Sequence, residues 1–167
     1  AVGRYEDYII EELVPEIDRR FRTTGARAVM GGSSGGIGAV TLGARHPDVF
    51  HAIADHSGDA AFDLCYLTDI PKFIAAFEKY DRSLEKFISA ISDRSVPKDN
   101  DFMVVLNLVA MSACYCADSS LSPLGFELPF DEYTGAIKPA VWEKMLAYDP
   151  VVFSEKYAEQ LKKLKLI

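Results

Sequence analysis

The sequence has few of the residues that metal sites and disulfide frameworks need. Its 167 residues include three histidines and three cysteines, and an odd number of cysteines leaves one thiol over in any paired scheme. Cys114 and Cys116 would point to different faces of a helix, and no histidine is near either of them in sequence. We therefore expect small, mostly buried thiols in a reduced protein, and no metal site.

Long apolar runs and an excess of positive charge are also absent. The most apolar stretch, which begins at Phe102, is interrupted by Asn107 and Ser112, so no membrane span is predicted. The 18 basic and 25 acidic side chains give a net charge of −7, which argues against a nucleic-acid partner because no basic face is available to displace counterions. No signal peptide is visible, and we expect a cytoplasmic protein that acts on a small molecule. The oligomeric state stays open.

What the sequence does contain is a strand–helix–strand pattern near its beginning. Residues 5–21 have an apolar stripe at helical spacing, and Pro15 is predicted to kink it or to divide it into two abutting helical pieces. Residues 26–30 and 49–56 read as buried strands on either side of a helix from Ser34 to about Arg45, which is typical of a βαβ unit with a parallel sheet. Residues 60–150 are mainly helical in pattern, a further amphipathic helix follows at about 153–163, and the final "LKLI" has the character of a strand.

The first strand runs into a glycine-rich turn, "VMGGSSGGIG" at residues 29–38, that fits G-x-S-x-G in two frames, around Ser33 or around Ser34. A phosphate-binding loop of the Walker type is excluded because no lysine lies between Gly25 and Pro71. A G-x-G-x-x-G run does not occur in register either. The remaining chemistry for such a turn is a serine lifted out of the sheet, followed by a helix whose N–H groups face a developing oxyanion.

Between the two serines, the pattern favours Ser33. In that frame Gly31 and Gly35 would occupy the crowded positions, and Ser34 would supply the backbone N–H directly after the nucleophile. Gly36 and Gly38 would let the helix lie close to the sheet. The alternatives are Ser34 as the nucleophile and an ordinary glycine–serine turn without catalytic role, although so many glycines are costly unless close backbone approach requires them.

The order of three segments resembles one branch of the α/β-hydrolases, the esterase D and enterochelin-esterase-like enzymes. The segments are "EELVPEIDRRF", "RAVMGGSSGGIGAVTLGARHPDVF" and "HSGD", and the resemblance covers about residues 5–59. It implies hydrolysis of carboxylic esters, or acyl transfer in some branches, without a cofactor. It also implies Ser33 as nucleophile and the Ser34 N–H in the oxyanion hole.

The resemblance implies an acid and then a histidine on loops that follow later strands of the sheet. No matching segment is found in the sequence, so the chain resembles an internal portion of such an enzyme. His46 precedes a proline at a helix stop and His51 opens a strand, whereas His56 closes the strand beside the turn and is the better candidate base. Asp55 and Asp59 are near the turn without a matching role, and Asp149 is predicted to cap a helix.

These observations predict an incomplete, parallel-sheet α/β-hydrolase core, formed by residues 1–59 and 151–167, with residues 60–150 as a helical lid insertion. Candidate pocket residues are Gly32, His56, Ser57 and Asp59. The predicted function is that of a serine esterase, and we expect residues 1–167 alone to lack a working Ser–His–acid triad. Two alternatives stay open, namely an acyltransferase of the same family and a non-catalytic fragment that serves as a scaffold or partner-binding module.

Overall fold

A computed structural model describes residues 3–166 as two compact units. One unit is Gly3–Ala61 together with the chain from Ala147 onward, and the other is Phe62–Leu146. The first unit contains a parallel sheet flanked by helices, and the second is built mainly of helices. The chain is a mixed α/β protein, as the sequence predicts, whereas the assignment of a hydrolase-type core and a lid stays a prediction.

The first unit begins with a helical segment whose geometry changes along its length. It comprises α1 (Tyr5–Asp7), a π-helical segment (Tyr8–Leu13) and α2 (Val14–Arg20). Pro15 lies in the first turn of α2, where its missing N–H is best tolerated. The segment is thus a series of abutting helical pieces, one of the two outcomes predicted for Pro15, with the widened turn directly before α2.

The sheet consists of β1 (Ala28–Gly32) and β2 (Ala52–His56), paired in parallel so that Gly31 faces Asp55 and Gly32 faces His56. Between them runs α3 (Ser34–Arg45), which completes the predicted βαβ unit. β2 begins three residues later than predicted because Val49 and Phe50 both donate backbone hydrogen bonds to the carbonyl of His46. Residues 49 and 50 therefore belong to a turn, and His51, whose N–H donates to the Arg27 carbonyl at 2.8 Å, leads into β2.

Small residues allow α3 to lie directly on the sheet. A Cβ on Gly43 would stand 2.2 Å from the Ile53 side chain, and one on Gly36 would stand 2.0 Å from the Asp55 carboxylate. A Cβ on Gly38 would meet nothing within 4 Å. The expectation that Gly38 serves close packing is therefore wrong, because Gly38 faces away from the sheet and Gly43 takes that role.

A third strand position adjoins β2 near the end of the chain. Leu166 forms a parallel bridge with Ala52, the Ile53 N–H donates to the Leu166 carbonyl at 3.0 Å, and the Lys165 N–H donates to the His51 carbonyl at 2.7 Å. The strand predicted at "LKLI" thus begins beside β2, while its last residue, Ile167, lies outside the described residues.

The helices of both units follow the apolar periodicity of the sequence. The single helix predicted at 153–163 is instead two short helices that meet at Tyr157. The helical unit contains short 3₁₀ turns at Leu67–Asp69 and Glu78–Tyr80. The remaining helices, in chain order, are α4 (Phe62–Cys65), α5 (Ile70–Phe77), α6 (Leu84–Ser92), α7 (Asn100–Tyr115), α8 (Pro139–Leu146), α9 (Pro150–Lys156) and α10 (Ala158–Leu161).

Aromatic side chains form much of the core of the helical unit. Phe73 packs edge-to-face on Phe130, with ring centroids 5.1 Å apart, and Phe77 packs beside Phe73. Trp142, the only tryptophan, donates from Nε1 to the Asp63 carboxylate at 3.0 Å. These four aromatic residues are buried.

No disulfide joins the cysteines among the described residues, and Cys116 is buried. Burial raises the pKa of the Cys116 thiol to about 11, so the thiol stays protonated at neutral pH. This agrees with the expectation of a buried apolar thiol.

Candidate active site

Ser33 forms the apex of the turn between β1 and α3. Its backbone has φ 54° and ψ −127°, a conformation that side-chain-bearing residues rarely adopt and that costs about 1–3 kcal/mol. Ser34 is already the first residue of α3. The sequence left two frames open, and the strained turn lies at Ser33, as predicted.

The glycine before the apex is required by space. A Cβ on Gly31 would stand 2.0 Å from the carbonyl oxygen of Gly35, so no larger residue fits at position 31 without moving the backbone. A Cβ on Gly35 itself would meet nothing within 4 Å. The prediction that both flanking positions are crowded is therefore right for Gly31 and wrong for Gly35. The Cβ position of Gly31 points at the backbone of Gly35, whereas the Cβ position of Gly35 points into open space.

Backbone hydrogen bonds fix the turn from both sides. The Ser33 N–H donates to the carbonyl of His56 at 3.0 Å, and the Gly36 N–H donates back to the carbonyl of Ser33 at 2.8 Å. Ser34 and Gly35 open α3, so their N–H groups have no acceptor within the helix. Within residues 3–166, neither group has another hydrogen-bond acceptor. These two donors lie at the positive end of a 12-residue helix, directly after the exposed Ser33.

The candidate pocket residues Gly32 and His56 are register partners at the ends of the two strands. A Cβ on Gly32 would lie 3.9 Å from Nδ1 of His56, so the imidazole reaches back over the end of β1. Ser57 follows with φ 56°, a second strained residue, and Asp59 is half-buried in the loop beyond it. The structure thus brings Gly32, Ser33, His56 and Ser57 together at one edge of the sheet.

The histidines are engaged differently. Nε2 of His46 lies 2.7 Å from Oε1 of Glu6, and Nδ1 of His51 accepts the Arg27 N–H at 3.3 Å. Both contacts are structural, which agrees with the prediction that His46 lies at a helix stop. His51 directly precedes β2, whereas the sequence predicted that it opens the strand. Among the described residues, no histidine side chain is hydrogen-bonded to Ser33.

Two aspartates make contacts that the sequence did not predict. Asp149 caps α9 by accepting the Val151 N–H at 2.9 Å, as expected, and the same oxygen also accepts the Ala61 N–H at 3.0 Å. Asp55 accepts the Gly58 N–H at 2.8 Å and fills the space over Gly36. The sequence does show an acid near a strand end, with one glycine in the following loop, Gly58, and one in α3, Gly36. Their contact with Asp55 can be recognised only once the position of α3 on the sheet is known.

Other kinds of site find no support in the described residues. Within residues 3–166 no group of three or more histidine, cysteine, aspartate or glutamate side chains is arranged to hold a metal ion. In the same part of the chain, no helix is both long and apolar enough to cross a membrane.

The fold and the turn define a mixed α/β protein with an exposed serine at a strained strand-to-helix junction. The sequence model of the family described as "Putative esterase" matches residues 2–166, and the chain belongs to that family. The resemblance to esterases seen in the sequence is thereby confirmed. No curated protein matches the chain.

Proposed function

We propose that the protein is a serine hydrolase of carboxylic esters and that Ser33 is its nucleophile. The observation that carries the proposal is the strained backbone of Ser33, φ 54° and ψ −127°, in an exposed residue directly before the first turn of α3. Strain of this kind persists where a function requires it. The family to which the chain belongs supports the same class of reaction.

In this mechanism the Ser33 Oγ attacks the ester carbonyl carbon while a general base takes its proton. The carbonyl oxygen gains the negative charge, and the Ser34 N–H stabilises it at the N-terminus of α3. The protonated base gives the proton taken from Ser33 to the ester's alkoxy oxygen as the tetrahedral intermediate collapses, which breaks the C–O bond, releases the alcohol and leaves an acyl group on Ser33. Water then attacks the acyl group and releases the carboxylic acid, and transfer to another alcohol at this stage would make the enzyme an acyltransferase.

The remaining residues of the candidate site shape the pocket in this proposal. Gly32, His56, Ser57 and Asp59 lie at or just beyond the strand ends, where ligands bind in open α/β sheets. We propose residues 60–150 as a lid because they follow β2 directly in the chain. The basis for the lid is therefore sequence position.

The two neighbouring serines provide a matched test. Hydrolysis of p-nitrophenyl acetate is measured for the product of the complete reading frame that encodes this chain, and for its Ser33→Ala and Ser34→Ala variants. Ser33→Ala should lower kcat by at least about a thousandfold. Ser34→Ala should retain most of the activity, because the proposed role of Ser34 uses only its backbone N–H.

A covalent probe identifies the nucleophile directly. A fluorophosphonate should add to the peptide that contains Ser33, and mass spectrometry of the digest locates the adduct. An adduct at Ser34 or elsewhere, or full turnover in Ser33→Ala, would refute the assignment.

Addition of an alcohol acceptor during the p-nitrophenyl assay separates hydrolysis from acyl transfer, since transfer yields a new ester.

A further inference from the structure

Asp55, near the end of β2, is exposed, and its side chain contacts both the first turn of α3 and the turn that follows β2. Its Oδ1 accepts the Gly58 N–H at 2.8 Å. A Cβ on Gly36 would stand 2.0 Å from the same oxygen, and one on Gly58 would stand 2.6 Å from it. The carboxylate therefore fills a space that two glycines leave open, one in the helix and one in the loop.

Both turns that Asp55 joins are strained. Ser33 has φ 54° and Ser57 has φ 56°, each in the region that favours glycine. A direct backbone bond connects them, because the Ser33 N–H donates to the carbonyl of His56, the residue before Ser57. Strained residues persist only when their surroundings hold them in place. The Asp55 side chain touches both the loop after Ser57 and the helix after Ser33, at a place where the backbone of Gly58 also lies close to Gly36.

We propose that Asp55 is a positioning residue for Ser33, a role that rests on the proposed function. Its hydrogen bond to Gly58 and its contact with Gly36 hold the end of β2 and the start of α3 at a fixed separation. The hydroxyl of Ser33 is thereby kept where it can attack. Displacement of a reacting group by about 1 Å can cost about a hundredfold in rate.

The first test needs no substitution. Amide hydrogen exchange of residues 1–167 is followed by NMR, residue by residue. Gly58 lies in a loop, yet its N–H should be protected because it is bonded to Asp55, and the Ser33 N–H should be protected by His56. A Gly58 amide that exchanges at the rate of an unstructured peptide would overturn the proposal.

The second test compares Asp55→Ala with Asp55→Asn, since asparagine keeps an oxygen that can accept the Gly58 N–H. Asp48→Ala is the control, an exposed aspartate in the turn after α3. In the p-nitrophenyl acetate assay of the complete reading-frame product, Asp55→Ala should lower kcat about tenfold or more with little change in KM, as expected for a misplaced nucleophile. Asp55→Asn should stay within about threefold of the parent, and exchange at Gly58 and Ser33 should accelerate in Asp55→Ala alone.

Each outcome decides the proposal. Equal losses of kcat in Asp55→Ala and Asp55→Asn with unchanged exchange at Gly58 would assign the effect to charge and overturn a positioning role. Unchanged kcat and exchange in Asp55→Ala would also overturn it. If Asp55→Ala does not fold, the exchange of the parent chain and the kinetics of Asp55→Asn decide. Activity retained in Ser33→Ala would refute the proposed function of Ser33. The exchange rates of Gly58 and Ser33 would still show, independently, whether Asp55 holds the turn.

Discussion

The N–H of Ser33 donates a 3.0 Å hydrogen bond to the carbonyl of His56, which ties the turn after β1 to the end of β2. The bond extends the parallel ladder by one residue beyond Gly32, the last residue of β1. Ser33 therefore keeps its strained conformation as part of the sheet rather than as part of a free loop. That relationship makes the turn sensitive to changes at several defined positions.

Relief of the strain at Ser33 should stabilise the fold. Glycine adopts positive φ without the steric cost that a Cβ incurs, so Ser33→Gly should be about 1 kcal/mol more stable than Ser33→Ala. Both variants remove the hydroxyl, so both should lack esterase activity. Urea unfolding of the two proteins measures the difference. Equal stability would contradict the inferred strain.

Glycines on either side of the turn should respond very differently to alanine. Gly31→Ala places a Cβ 2.0 Å from the backbone oxygen of Gly35, and such overpacking should cost about 2 kcal/mol or more. Gly35→Ala meets open space and lies in the first turn of α3. It should be neutral or stabilising by up to about 1 kcal/mol, because alanine is the better helix former.

Thermal unfolding of the Gly31→Ala and Gly35→Ala variants, followed by circular dichroism, tests this contrast. Gly38→Ala provides a third comparison, since it also meets open space in α3. Similar melting temperatures for all three variants would contradict the close approach of the Gly35 carbonyl oxygen to Gly31.

Asp149 should contribute more to stability than an ordinary helix cap. It is 2% exposed and accepts the N–H groups of both Val151 and Ala61, so Asp149→Ala leaves two donors without their acceptor and should cost about 2–4 kcal/mol. Asp99 caps α7 through the Phe102 N–H but is largely exposed. Asp99→Ala should cost only about 1 kcal/mol.

Chemical denaturation of the Asp149→Ala and Asp99→Ala variants compares the two caps directly. Asp149→Asn serves as a further control, because an amide oxygen in the place of Oδ1 can still accept both N–H groups. A cost for Asp149→Ala no larger than that for Asp99→Ala would show that the bond to Ala61 adds nothing.

The sequence predicted those features of the site that depend on local chemistry. A run of glycines around a serine, placed between an apolar run and a helical pattern, is sufficient to locate the turn at Ser33. The sequence predicted close approach correctly at Gly31 and Gly36, but it predicted the same at Gly35 and Gly38, which face open space, and it missed Gly43. The contact partner of a glycine depends on the rotation of α3 over the sheet, which no local pattern specifies.

Boundaries and long-range contacts were the least predictable features. The apolar residues Val49 and Phe50 look like strand residues, but they belong to a turn that bonds back to His46. Asp55 and Asp149 bind backbone groups, and in Asp149 one of these, the Ala61 N–H, is 88 residues away. Such pairs become visible only when the chain is folded.

The last prediction concerns the general base. A serine hydroxyl is a weak nucleophile until a base lies within about 3 Å of it, directly or through one water. His46 is bound to Glu6 and His51 to Arg27. His56 is exposed beside the turn, and within residues 3–166 no carboxylate accepts a hydrogen bond from its ring. We therefore expect residues 1–167 alone to lack strong Ser33-dependent turnover.

Residues 1–167 are assayed with p-nitrophenyl acetate beside their Ser33→Ala and His56→Ala variants and beside the product of the complete reading frame. The oxyanion donors alone can leave about a thousandfold acceleration over water, so weak activity that survives both substitutions agrees with the prediction. If His56 only lines the pocket, His56→Ala should change KM more than kcat in the reading-frame product. Strong turnover by residues 1–167 that disappears in both Ser33→Ala and His56→Ala would contradict the prediction and establish His56 as the base.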